Sequence, residues 1–251
     1  MSKNPRPHYK GNELAEYMED KVMPDFLKNR IYDLFKIVKK YLDEADAKWW
    51  ASGGTLLGAV RHKGLIPWDD DLDIDVDWTY TKDRASEYQD TYEKALRLMR
   101  ADNRLKVMEY GAKTNAPSMA GAGHIVYFKD NLEFQKKHNI KGKNKFYPSM
   151  DINKIKQGER MMNYNWIIPQ SGPFHDCVFM KKEIYPLKSL PFGDTKINIP
   201  NQWKPYIRRC YTLKSLKHGV FTHTHHPYEK LKPKDQASFK IEDWNKIKHK
   251  I

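Results

Sequence analysis

Apolar residues recur every three or four positions through residues 24–45, at Ile31, Leu34, Phe35, Val38, Tyr41, Leu42 and Ala45. That spacing lays one apolar face along a long helix. Pro24 suits its first position, and Asp25 adds negative charge to its first turn. A shorter helix is expected just before it, from Glu13 to Lys21. The period changes to two at residues 71–78, where Leu72, Ile74, Val76 and Trp78 face one way and Asp71, Asp73, Asp75 and Asp77 the other. Aspartate is a poor strand former, so this strand is held by its apolar face. Upstream of it, the apolar run Trp49-Trp50-Ala51 ends in Ser52-Gly53-Gly54-Thr55, followed by a short helix over Leu56–Val60 and a turn at Gly64 and Pro67.

Further along, a helix is expected at about 83–100, with Ala85, Tyr88, Tyr92, Ala95, Leu96 and Met99 on one side. Strands follow at Leu105–Tyr110 and His124–Lys129, flanking a Gly/Ala/Pro/Ser-rich connection at 111–123. Another strand covers Tyr147–Ile152, and one more helix is expected near 202–211. Residues 136–145 are basic and lack a period, which reads as a solvated loop or as a cationic arm over a phosphate-bearing ligand. No repeat or linker interrupts the chain. We therefore read 1–251 as a single domain, with an N-terminal helical segment at about 12–47 and a basic C-terminal extension at about 213–251 that wraps the surface.

Composition narrows the class. With 39% hydrophobic and 13% aromatic residues there is material for a core, which excludes wholesale disorder. No window approaches the ~18 consecutive apolar residues of a membrane span, and the mean hydropathy is −0.85. No apolar run follows the basic residues of the start, so no secretory signal is seen and a cytoplasmic location is expected. Two cysteines, Cys177 and Cys210, cannot build a disulfide framework or a four-cysteine zinc site and are expected as reduced thiols. The formal charge of +13 predicts attraction to polyanions: nucleic acid, anionic membrane or a phosphate-rich small substrate.

The dense run Trp68-Asp69-Asp70-Asp71-Leu72-Asp73-Ile74-Asp75 demands a chemical reason. Asp69, Asp71, Asp73, Asp75 and Asp77 can share one strand face, with same-side neighbours roughly 6.5–7 Å apart. Carboxylates so close repel one another and raise each other's pKa. A divalent cation removes that penalty, and Mg²⁺ or Mn²⁺ is bound through one or two carboxylates plus substrate phosphates. Gly53-Gly54-Thr55, at the start of a helix, supplies backbone N–H groups suited to an anion. Asp151, with apolar neighbours Met150 and Ile152, is the best third carboxylate, because a buried aspartate is costly without a partner or ion. Trp68 is a core or rim residue first, and a stacking surface for a base or sugar second. The histidines at 223, 225 and 226, with His175 and His218, read as a solvated basic tail rather than a zinc site.

Residues 53–74, Gly-Gly-Thr-Leu-Leu-Gly-Ala-Val-Arg-His-Lys-Gly-Leu-Ile-Pro-Trp-Asp-Asp-Asp-Leu-Asp-Ile, resemble the signature of the LicD family, which includes bacterial phosphocholine transferases and the fukutin-related proteins. Weaker similarity continues through Asp151-Ile152, Tyr185-Pro186-Leu187, Pro191-Phe192-Gly193 and Ile199-Pro200-Asn201. The resemblance implies an α+β, nucleotidyltransferase-like fold: a mixed sheet flanked by helices. It further implies a Mg²⁺-dependent (or Mn²⁺-dependent) phosphotransferase that moves a phosphorylated alcohol from a CDP-linked donor to a glycan hydroxyl. Carried over by motif, Asp71 and Asp73 hold the metal with Asp151 as the third acidic position. Gly53, Gly54 and Thr55 form the phosphate-side turn, and Arg61 and Lys63 offset charge on the donor and leaving nucleotide. Asp151 or Asp69 takes the proton of the attacking hydroxyl. Cys210-Tyr211-Thr212 departs from the family, which often shows Tyr-Gly there. Two alternatives stand beside this reading. One is transfer of a nucleoside monophosphate on the same fold, and the other is non-catalytic nucleic-acid binding, which leaves the carboxylates unexplained.

Overall fold

The structure, a computed structural model, describes residues 7–78, 85–110, 123–141, 144–157, 161–164, 179–222, 231–232 and 235–251. Helix α1 (Gly11–Met18) buries Leu14 and Met18. Helix α2 (Asp25–Glu44) buries Leu27, Ile31, Leu34, Phe35, Val38 and Leu42, the face set by the three-and-four spacing. Pro24 stands one step outside this helix, as its N-cap, with its carbonyl accepting from the Leu27 and Lys28 amides. The missing proline N–H costs nothing there.

Strand β1 (Trp49–Ala51) passes through the single residue Ser52 into helix α3 (Gly53–His62), and β2 (Asp73–Asp77) follows. Next come α4 (Ala85–Ala101), β3 (Leu105–Glu109), β4 (Gly123–Phe128), α5 (Asn131–Lys137), β5 (Ser149–Gln157), β6 (Met161–Tyr164) and β7 (Phe179–Met180). Among the described residues these seven strands form one sheet in the order β1-β2-β5-β4-β3, with β6 paired to β5 and β7 to β6. The β2–β5 pairing is parallel, and the other pairings are antiparallel. Helix α2 and the side chains of β1 build the centre of the core, where Phe35 meets Trp49 and Phe192 edge to face. The fold is α+β.

The remaining elements are α6 (Lys181–Ile184), the hairpin β8 (Lys188–Phe192) and β9 (Thr195–Ile199), α7 (Trp203–Cys210), a 3₁₀ turn at Leu213–Leu216, the pair β10 (His218–Phe221) and β11 (Ala237–Lys240), and α8 (Ile241–Ile247). The described part of the C-terminal extension, from the 3₁₀ turn to β10, β11 and α8, is built into the fold. Phe239 and Trp244 are buried edge-to-face against Trp68, so the apolar residues scattered among the lysines, not the lysines, decide the path. The histidines at 223, 225 and 226 and the connection at 111–122 lie outside the described residues.

Three further expectations change. Strand β2 begins only at Asp73, because its partner β1 ends at Ala51, opposite Ile74, and the chain there turns into α3. Asp69 and Asp71 thus precede the strand. In the basic stretch 136–145, Lys136 and Lys137 form the last turn of α5, and Gln135 Nε2 donates to the carbonyls of Asn144 and Tyr147. The described part of that stretch is an anchored return, not a free arm. Cys210 is disulfide-bonded, which overturns the expectation of reduced thiols, while Cys177 lies outside the described residues.

Candidate active site

The floor of the site is made where β1, α3 and β2 meet. The Ser52 amide donates to the Asp73 carbonyl at 3.2 Å, and the Asp73 amide donates to Thr55 Oγ1 at 2.8 Å. These two bonds clamp the first turn of α3 to the first residue of β2. Gly53 has φ +51°, a conformation that favours glycine, and a Cβ there would lie 3.2 Å from Asp73 Oδ2. At Gly54 a Cβ would lie 2.8 Å from Asp69 Oδ2. The two glycines are thus the room in which two carboxylates sit, against the positive end of a helix.

The aspartate run divides by partner. Asp70 accepts from the Tyr147 hydroxyl at 2.6 Å, Asp75 from Asn153 Nδ2 at 3.2 Å, and Asp77 from the Tyr185 hydroxyl at 2.5 Å. Asp69, Asp71 and Asp73 instead line one cavity of about 880 Å³, together with Gly53, Gly54 and Arg61. Asp151 is the register partner of Asp73 across the parallel β2–β5 pair, and its amide donates to the Leu72 carbonyl at 2.8 Å. A separate cavity of about 580 Å³ shares Trp68 and Phe221 as a wall but is lined by none of Asp69, Asp71 and Asp73.

Burial and neighbouring charges raise the pKa of Asp69, Asp73 and Asp151. Burial, then the charges of Asp71 and Asp151, push Asp73 well above the ordinary carboxylate range. Asp69 is raised by burial and by Asp71, to which it hydrogen-bonds, and the Arg61 guanidinium pulls it partly back. Burial pushes Asp151 up to about 7 against the opposing hydrogen bond from Tyr110.

The structure treats the other sequence-derived candidates differently. The Thr55 hydroxyl oxygen is engaged by the Asp73 amide, and the Gly53 amide donates to the Tyr206 hydroxyl at 3.1 Å. Both are therefore committed to shaping the floor. Arg61 lines the cavity, but its Nη1 donates to the carbonyls of Ser215 at 2.8 Å and His218 at 3.3 Å, which ties α3 to the C-terminal wall. Burial lowers its pKa to about 10. Lys63 is an exposed C-cap in left-handed backbone, and it does not line the cavity. Trp68 is buried at 6% exposure and packs edge to face on Phe239 and Trp244, while part of it lines the acidic cavity.

Composition and motif reading missed Tyr206 and Ser215, placed His218 in a solvated basic tail where the structure sets it on the cavity wall, and took Tyr211 only as a departure from pattern. Tyr211 lines the cavity, with its hydroxyl 3.7 Å from the position of a Gly53 Cβ. Burial, then Tyr206 and the nearby aspartates, raise its pKa, so the phenol stays a hydrogen-bond donor. The helix expected near 202–211 is α7, and Tyr211 directly follows it.

Among the described residues no three His, Cys, Asp or Glu side chains stand gathered as a preformed metal centre. The donor chemistry nonetheless fits a hard divalent cation. The candidate ligands are all carboxylate oxygens, the donor set that Mg²⁺ and Mn²⁺ prefer.

The family profile described as LicD/FKTN/FKRP, nucleotidyltransferase domain, matches residues 46–202, which contain the whole floor and Asp151. The chain belongs to the LicD family. Among LicD relatives, the uncharacterized protein RP689 of Rickettsia prowazekii is 27% identical over 182 residues, covering 72% of this chain and 53% of that protein. Ribitol 5-phosphate transferase FKRP of Homo sapiens is 33% identical over 66 residues, 26% of this chain and 13% of the relative. Lipopolysaccharide cholinephosphotransferase LicD of Haemophilus influenzae is 77% identical over 22 residues, 9% of this chain and 8% of the relative. The chain thus spans about half the length, or less, of the curated LicD relatives it matches.

Proposed function

We propose that this chain is a cation-dependent phosphotransferase that moves a phosphorylated alcohol, such as phosphocholine or phosphoribitol, from a CDP-linked donor to a glycan hydroxyl. The observation that carries the reading is the sharing of one cavity by Asp69, Asp71, Asp73 and the glycine turn of α3. The names of two relatives, a cholinephosphotransferase and a ribitol 5-phosphate transferase, supply the class of group transferred.

In this reading the acceptor hydroxyl oxygen attacks the donor phosphorus that bears the alcohol. The bond from that phosphorus to the oxygen bridging it to CMP breaks, CMP leaves with the electron pair, and the hydroxyl proton passes to a carboxylate. Asp71, Asp73 and Asp151 would hold Mg²⁺ or Mn²⁺, which supplies charge neutralisation at the diphosphate. We assign the proton to Asp69: it lines the cavity, and crowding by Asp71 raises its basicity. Asp151, paired beside Asp73 and held by Tyr110, is assigned to support rather than to proton transfer. The Tyr211 phenol is a neutral donor on the cavity wall, suited to a phosphate oxygen. Positioning and electrostatics supply most of the rate in such transfers.

The test is CMP release from CDP-choline, CDP-ribitol and CDP-glycerol with Mg²⁺ and sugar acceptors, with the product read by mass. One donor is expected to yield CMP and a sugar carrying the alcohol phosphate, and Asp73→Asn is expected to abolish the yield. Pyrophosphate release from a nucleoside triphosphate, with a nucleotidylated product, would replace this reading by nucleotidyl transfer.

A further inference from the structure

The acidic cavity is not closed on its far side. Tyr211, Ser215, His218 and Val220 also line a second cavity of about 620 Å³. The character of the wall reverses there. Its ionisable residues are Lys214, Lys240, His8 and His218, with Tyr211, and among the described residues no carboxylate lines it. Neither Lys214 nor Lys240 makes an ion pair among the described residues, whereas Lys28, Lys36 and Lys39 of α2 do; Lys240 acts on Glu242 only through its charge. His218 Nδ1 is buried and has no hydrogen-bond partner among the described residues.

Three distant parts of the chain are brought together to make this wall. The N-terminal segment is fastened to β11 by the Tyr9 amide donating to the Ser238 carbonyl at 3.0 Å and the Ser238 amide donating to the Pro7 carbonyl at 2.9 Å, which carries His8 to the rim. The 3₁₀ turn contributes Lys214, and β11 contributes Ser238 and Lys240. Thr212, between the two cavities, is held at φ 65°, a strained conformation for a β-branched residue. The chain reverses at that point, from Tyr211 on the acidic side to Lys214 on the basic side.

We propose that this basic cavity is an anion subsite, which receives a phosphate or carboxylate on a substrate beyond the group being transferred. It rests on the phosphotransferase reading for what occupies the neighbouring cavity. Unpaired cations on a concave wall attract anions at long range and hold them by charge-assisted hydrogen bonds. The carboxylates next door repel the same anion unless it is bridged by a cation, so a substrate with two anionic groups is sorted into register: one over the aspartates, the other over the lysines.

Two sources of the anion are possible, a phosphate on the acceptor sugar or the nucleotide of the donor, and calorimetric titration separates them. The probes are glucose 6-phosphate, glucose and CDP with Mg²⁺, titrated into the full chain, into Lys214→Gln/Lys240→Gln, and into Lys182→Gln/Lys196→Gln. The last pair removes the same charge from exposed positions outside the cavity. Glucose 6-phosphate is expected to bind more tightly than glucose and to lose about tenfold in affinity in the first double variant only. The same loss confined to CDP assigns the subsite to the donor nucleotide and also supports the proposal. Equal binding in both double variants, or no binding of either anion to the parent, overturns it. CMP release measured on the same samples keeps the two readings apart: turnover with unchanged anion binding sinks the subsite alone, whereas a Lys214/Lys240-dependent affinity without turnover sinks the transferase alone.

Discussion

Asp73 and Asp151 face each other across the parallel pairing of β2 and β5, each at the start of its run of paired residues. Burial raises the pKa of both, with the charges of Asp71 and Asp151 adding to Asp73 and that of Asp71 to Asp151. A divalent cation is expected to relieve that strain, so Mg²⁺ should stabilise the parent chain against heat, by about 2.7 kcal/mol at one hundred times its dissociation constant. Asp73→Asn should lose most of this Mg²⁺ response while melting no lower than the parent in EDTA. A variant that responds to Mg²⁺ like the parent removes Asp73 from the cation site. Scanning calorimetry with and without EDTA makes the comparison.

Gly54 faces the Asp69 carboxylate so closely that a methyl group would stand 2.8 Å from Oδ2. The obstacle is the end of a side chain, not backbone, so Gly54→Ala is expected to displace the carboxylate and leave the fold intact. Alanine within a helix is worth roughly 0.5–1 kcal/mol over glycine, so stability should hold or rise while the transfer rate falls roughly 10²-fold. Equal losses in melting temperature and rate would point to misfolding instead.

Thr55 Oγ1 receives the Asp73 amide inside the protein. Thr55→Val keeps the volume and leaves that amide unsatisfied, at a cost of about 1–3 kcal/mol in urea unfolding. Thr55→Ser restores the acceptor and should recover most of the loss. The pair of variants distinguishes a clamp on β2 from a direct phosphate contact, because the second role would change substrate KM with little change in stability.

Burial pushes the Asp75 carboxyl up to about 7, against the hydrogen bond from Asn153. Its unfolded value is ~3.9. Below that value both states hold the proton; as pH climbs toward 7 the unfolded chain ionises freely and the folded one does not, so stability falls across this window and levels off above it. Asp75→Asn should therefore unfold at the same urea concentration as the parent near pH 4 and be about 4 kcal/mol more stable at pH 8. A variant that is destabilised at both pH values would show that the ionised carboxylate is required.

The sequence made some of this legible and hid the rest for physical reasons. Helix α2 announces itself because one helix face against one core gives a clean period. The crowding of Asp69, Asp71 and Asp73 is local, so it too can be read directly. What cannot be read from spacing is which aspartates a neighbour satisfies. Asp70, Asp75 and Asp77 look like the others along the chain, and only strand pairing and distant tyrosines set them apart. Arg61 shows the same limit. Its charge suggests a phosphate contact, whereas the carbonyls of Ser215 and His218, far along the chain, take its hydrogen bonds. The C-terminal segment misleads because its lysines dominate its composition while Phe239 and Trp244 dominate its energetics.

Only Ser52 separates β1 from α3, and α3 is clamped straight onto β2, so the acidic floor is folded from one short neighbouring stretch of chain. The surfaces a substrate would meet around it arrive from Tyr211 to Thr222, far downstream. On the proposed reading, substitutions in the floor should alter the rate of transfer, and substitutions between Tyr211 and Thr222 the choice of substrate.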